Sequence, residues 1–235
     1  MVSDCLITSA PSPSQPLLFG IRRLVAGDPG FPESLALISK APTSLWYRGT
    51  LYPSDLNSVG IVGSRACSDL GEKRSLRLSF ELAKEGGTVV SGLAEGVDGA
   101  AHRGALKGGG RTLAVLGTGL KHIYPYEHEE LGWSVTQRGA LVSQFDDPRF
   151  SGYRNGRNFL KRNAVIAAFS RVVVVVEAKK RSGSLSTVRA ALAQGKPVGL
   201  LRSLVESERW AAELARSPEV FVVENTADIL ERVGV

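Results

Sequence analysis

The stretch RVVVVVEA, residues 171–178, decides the fold. A strand with one wet face alternates apolar and polar residues, whereas this one places five valines in succession. Such a run has to be covered on both sides, which is the condition of a parallel sheet sheathed by helices. Upstream, residues 159–169 read as a helix. Downstream, a helix over 185–194 leads to the strand PVGLL at 197–201, a helix over 207–215, the strand VFVV at 220–223 and a closing helix over 227–233.

The same alternation runs back toward the N-terminus. VGIV (59–62), TVVS (88–91), TLAVLG (112–117) and ALVS (140–143) read as strands, and 69–85, 97–107 and 127–138 as helices. Ser68 or Asp69 suits the N-cap of the first of these helices, and Gly86 suits its end. The pattern predicts an α/β protein with a doubly wound, Rossmann-like, mostly parallel sheet and helices on both faces. Residues 58–235 form that domain. Residues 1–16 read as a flexible tail. Pro29, Pro32, Pro42 and Pro53 punctuate the segment that follows, leaving room for two short helices and a strand at 45–47. Residues 1–57 are thus a tail and a lead-in partly packed on the core.

A chain of 235 residues suits one large domain with a small appendage. Its 29 basic and 23 acidic residues leave a net charge of +6, which a polyanion partner would explain but which does not by itself demand one. Cys5 and Cys67 make no disulfide framework, and with His102, His122 and His128 scattered, no metal-binding spacing exists. No metal or other cofactor is expected. No apolar run approaches the ~20 residues that span a bilayer, so no membrane association is expected. The Ser- and Pro-rich N-terminus lacks the layout of a secretory signal, so the cytoplasm is the expected location.

In open α/β sheets, ligands bind beyond the carboxyl ends of the strands. The residues there are rich in glycine and hydroxyls. GSR, with Gly63, Ser64 and Arg65, follows the first regular strand and resembles an anion cradle at a helix N-terminus. It lacks G-x-G-x-x-G, which favours phosphate over a dinucleotide. Gly92 and Gly96 follow the second strand, where Asp98 suits a helix N-cap and His102 sits one turn further on. Gly117 and Gly119 follow the third. Ser182, Gly183 and Ser184 follow the valine strand, beside Lys179, Lys180 and Arg181. No Ser–His–Asp or Cys–His arrangement emerges, so no catalytic residue is expected.

Between two of these turns lies RNGRNFLKRNAVIAAFS, residues 154–170. From Arg149 to Asn163 the chain carries five Arg or Lys and no acid, including Arg154, Arg157, Lys161 and Arg162. A strip of this kind suits a nucleic-acid backbone. Phe150, Tyr153 and Phe159 are interleaved with the cations, and aromatic faces stack unpaired bases. Phe159 is equally suited to be the first core residue of its helix.

Taken in order, VGIVGSR, VVSGLAEGVDGAAHRGAL, LAVLGTGLKHIYPYEHEEL, GALVSQF, KRNAVIAAFS and VVVVVEAKKRSGSLSTVRAALAQGKPV resemble the DprA/Smf family of DNA-processing proteins over about residues 31–198. The resemblance implies an extended Rossmann fold that binds single-stranded DNA without catalysing a reaction, works as a homodimer, and loads the RecA recombinase in natural transformation. It assigns DNA contact to Ser64, Arg65, Gly92, Lys161, Arg162, Asn163, Ser182, Gly183 and Ser184, with Arg154 and Arg157 as added cations. Ala164 and Glu95 stand where the family often carries a base. The family's N-terminal helical domain is expected to be absent or reduced to residues 1–57, with no winged-helix domain after Val235. Two other readings remain at this level. One is a nucleotide-binding sensor. The other is a phosphoribohydrolase-like enzyme, although EAKKRSGSLST lacks the paired glycines and glutamate of the P-G-G-x-G-T-x-x-E motif.

Overall fold

The computed structural model of the protein describes residues 20–38, 41–146 and 156–233. The valine run forms β7 (Ser170–Val175), flanked by β3 (Ser58–Val62) and β8 (Val198–Leu201), both parallel to it. Val173 and Val175 pack into one apolar cluster and Val172, Val174 and Val176 into another on the opposite face. Both faces are therefore dry, as the unbroken valines require. The strand stops at Val175 instead of reaching residue 178. β3 has ended at Val62 by then, and Glu177 turns away to cap a helix.

The sheet has nine strands in the order β1-β2-β6-β5-β4-β3-β7-β8-β9. Here β1 is Arg22–Val25, β2 Ser44–Gly49, β4 Val89–Ser91, β5 Thr112–Leu116, β6 Ala140–Ser143 and β9 Val220–Val223. β1, β2 and β6 pair antiparallel in succession; every other pairing is parallel. α1 (Asp69–Lys84), α2 (Val97–Lys107), α3 (Glu129–Arg138) and α8 (Thr226–Val233) cover one face. α4 (Gly156–Phe169), α5 (Ser184–Ala193), α6 (Arg202–Ser207) and α7 (Arg209–Leu214) cover the other. This is the doubly wound α/β architecture.

Three local expectations change. The lead-in opens with an unexpected strand, β1, which pairs antiparallel with β2 while the Arg22 and Arg23 guanidiniums lie over the Tyr47 and Trp46 rings. In place of two short helices before β2 there is one 3-10 turn before it, Glu33–Leu37, and one after it, Pro53–Asn57, and β2 extends beyond residues 45–47 on both sides. The helix expected over 207–215 is α7, starting after the extended Glu208 (φ −124°, ψ 115°), and a further short helix, α6, precedes it.

At the amino ends of the strands, Arg111 grips Asp55. Its Nε and Nη2 donate to the two carboxylate oxygens at 2.6 and 2.7 Å, and it also donates to Thr50 O and Arg138 O. The guanidinium stacks 4.5 Å from the Tyr52 ring centroid. The Asp55 side chain is 1% exposed, and beside Arg111 it accepts only from Tyr52 N, at 2.8 Å, among the described residues, so Arg111 is the one cation that balances its charge. The bidentate pair ties the approach to β3 to the start of β5. Arg111→Ala is expected to strand that carboxylate and cost about 3–5 kcal/mol in urea unfolding, with Arg111→Lys recovering only part.

His102 is fully buried in α2. The Thr112 hydroxyl donates to Val89 O at 2.9 Å, so it accepts from His102 Nδ1 at 2.8 Å, which fixes the proton on Nδ1. Nε2 has no partner among the described residues. Burial, with His128, Arg103 and Arg162 adding to it, pushes the imidazole from 6.5 down to about 3. The unfolded chain protonates this group near pH 6.5, while the folded chain resists until about pH 3, so acid favours unfolding across that window. Stability should fall by about 2 kcal/mol from this group between pH 7 and pH 5. Denaturant midpoints against pH should show the slope, and His102→Gln should flatten it.

Candidate nucleic-acid interface

The strand order reverses between β3 and β7: the chain winds outward from β3 through β4, β5 and β6, then returns to β7 and winds the other way. Such a switch point leaves a crevice at the carboxyl ends of the strands. A cavity of about 690 Å³ lies there. It is walled by the end of β3 and the GSR turn, by the first half of α4, and by the loop and first turn of α5. Arg65, Arg162, Lys179 and Arg181 line it, against Asp98 as the acid.

Arg162 organises the crevice. It is 4% exposed, and a buried guanidinium needs every donor matched. Nη1 donates to Gly92 O at 2.5 Å and Val115 O at 2.6 Å, and Nε to Asn163 Oδ1 at 2.9 Å. Burial, together with Arg65, pushes it down to about 10, against the pull of Asp98, so it stays cationic at neutral pH. Position 92 must be glycine, since a Cβ there would come within 2.5 Å of the Arg162 Cζ. Asp98, expected at the N-cap, lies inside the first turn of α2 behind Gly96. Its carboxylate accepts from Gly92 N at 3.1 Å and from Ala94 N. Burial pushes the Asp98 carboxyl up, opposed by Arg162 and these two donors. Between Gly92 and Ala94, Leu93 adopts a left-handed backbone (φ 57°) and its carbonyl accepts from His128 Nδ1 at 2.9 Å. The SGLA turn is thus clamped by Asp98, Arg162 and His128.

Phe159 divides the crevice from a smaller recess of about 160 Å³, lined by Arg65, Gly92, Ala94, Glu95, Tyr124, Pro125, Phe159 and Arg162. The Phe159 ring carries Arg65 at 5.1 Å and Arg162 at 5.8 Å, and Tyr124 lies tilted beside it at 5.6 Å. The ring is half-buried against Gly117, where a Cβ would approach it to 2.6 Å. It is neither a plain core residue nor a bare platform: it fixes the direction of two guanidiniums.

The sequence-derived residues divide. Ser64, Arg65, Arg162, Asn163, Ser182, Gly183 and Ser184 meet at the larger cavity, and Gly92 at the smaller. Asn163 braces the SGS turn through Gly183 O (3.2 Å) and Ser186 Oγ (2.7 Å). Arg157 and Lys161 are exposed and line neither cavity. Arg154 lies outside the described residues. The cradle expected at the N-terminus of α1 is filled by the protein itself. Glu177 accepts from Ser68 N at 2.9 Å and Ser68 Oγ at 2.6 Å, and its carbonyl takes Ser64 N at 2.7 Å. Helical spacing carried the missing signal. Phe159, Arg162, Asn163 and Ile166 recur at i, i+3, i+4 and i+7 and share one face of α4, whereas Arg157 and Lys161 are four apart on another.

The family model for DNA recombination-mediator protein A matches residues 22–234. Protein Smf of Escherichia coli is 42% identical over 171 residues, covering 72% of this chain and 44% of its own length. The chain spans about half the length of the curated relatives it matches. Among solved structures, DprA of Streptococcus pneumoniae superposes with a TM-score of 0.75 at 33% identity, over 90% of this chain and 74% of that one. DprA of Helicobacter pylori, whose structure was described for its single-stranded DNA binding mode, superposes at 0.76 with 26% identity, over 91% and 95%. The chain belongs to the DNA recombination-mediator protein A family, also known as DprA/Smf.

Proposed function

We propose that this chain binds single-stranded DNA without turning it over, holding the phosphate backbone in the switch-point crevice. The observation that carries the reading is the set of four cations, Arg65, Arg162, Lys179 and Arg181, gathered around the hydroxyls of Ser64, Ser182 and Ser184. Arg162 supplies fixed charge from below. Arg65, Lys179 and Arg181 are exposed, and Arg157 and Lys161 extend the attraction beyond the crevice. The H. pylori relative supports the choice of ligand. In this reading the protein acts in the cytoplasm as a homodimer and passes the bound strand to the RecA recombinase.

A second reading has one observation in its favour. The larger cavity, at about 690 Å³, falls within the roughly 300–1,000 Å³ range of small-ligand pockets. A nucleotide that bound there would raise the melting temperature in a thermal-shift series, whereas oligonucleotides alone would do so under the first reading.

Gel shifts over a salt series should show single-stranded DNA bound more tightly than duplex, with affinity falling linearly on a log–log plot. Arg65→Ala should weaken binding about tenfold and lower the salt slope by about 1. Lys161→Ala, at a position outside the crevice, should weaken it less. Unchanged affinity in both variants would remove the crevice from the interface. Gly92→Ala should displace the Arg162 guanidinium, so it should reduce both binding and thermal stability.

A further inference from the structure

Glu95 is an acid in a place built for phosphate. It is exposed, it lines the smaller recess with Arg65 and Arg162, and among the described residues it makes no hydrogen bond or ion pair. As a phosphate neighbour it only repels. As an unoccupied pair of acceptor oxygens, it suits a ligand that presents N–H groups.

The recess has the dimensions and walls for such a ligand. Its volume of about 160 Å³ lies below the roughly 300–1,000 Å³ of pockets that take whole drug-sized molecules, which leaves room for one ring system. Tyr124, Phe159 and Pro125 offer apolar and aromatic surface, and the Arg65 guanidinium offers a planar cation. Unstacked bases are held by such faces and read along their Watson–Crick edges. The recess also shares Arg65 and Arg162 with the crevice, so a base entering it stays attached to a backbone held next door.

We infer that the smaller recess takes one unpaired nucleobase and that Glu95 reads it, favouring guanine over thymine. Guanine presents N1–H and N2–H side by side, and a carboxylate accepts both in parallel. Thymine presents one N–H between two carbonyl oxygens, which face the carboxylate unfavourably. Adenine and cytosine offer one exocyclic amine and rank between. This inference rests on the single-stranded DNA reading and specifies its sequence preference.

The test is fluorescence anisotropy with oligo-dT, oligo-dT carrying isolated guanines, and the same strands with inosine in place of guanine. The unaltered protein should bind the guanine strand about tenfold more tightly than oligo-dT, with inosine between because it lacks the N2 donors. Glu95→Ala should tighten oligo-dT and bring the guanine-to-thymine ratio toward one. A merely repulsive acid would, on removal, tighten both strands equally and leave their ratio unchanged; that result overturns the inference. Equal affinities for the unaltered protein overturn it too, while sparing the proposed function. Failure to bind any strand at low salt would overturn both.

Discussion

The burial of one positive charge organises this molecule's upper surface. Arg162 sits where water cannot reach it, so the backbone must supply what solvent would have given. Gly92 O comes from the end of β4, Val115 O from β5, and the Asn163 amide from α4 itself. The demand of one guanidinium therefore fixes two strand ends and a helix relative to one another. It also dictates the glycine at 92, the carboxylate at 98 and the ring at 159. Removing that charge would take away one of the three side chains, with Asp98 and His128, that clamp the SGLA turn and its left-handed Leu93.

Much of the fold was legible because its signals are local. Five valines in a row specify a doubly covered strand whatever surrounds them, and Ser68 caps α1 through Gly71 N, as its side chain suggests. What was not legible depends on distant partners. β1 carries no strand signal of its own in the sequence, and its Arg22 and Arg23 find their places over Tyr47 and Trp46 of β2. Glu208 carries no helix-breaking chemistry, so the break between α6 and α7 leaves no mark in the sequence. At the site, the residue types were readable and their depth was not. Arg162 is the same residue type as Arg157 and carries the same charge as Lys161, and the face of α4 it occupies sets it apart.

Ala164 and Glu95, the two positions where the family resemblance leads one to expect a base, have different structural settings. Ala164 is half-buried, its carbonyl accepts from Gln194 Nε2 at 3.0 Å, and it lines neither cavity. Its lack of charge leaves the crevice lining intact. Glu95 is exposed and lines the smaller recess together with Arg65 and Arg162.

Glu177 has a wider consequence. By capping α1 with its own carboxylate, the protein closes the one place after β3 where a row of main-chain amides could have wrapped a single phosphate. A main-chain nest fits one anion in one pose. Side chains on flexible stems tolerate many poses, at some loss of affinity for each. Around the crevice the exposed charges, Arg65, Lys179 and Arg181, stand on such stems, so their spacing is adjustable where an amide nest would have been rigid.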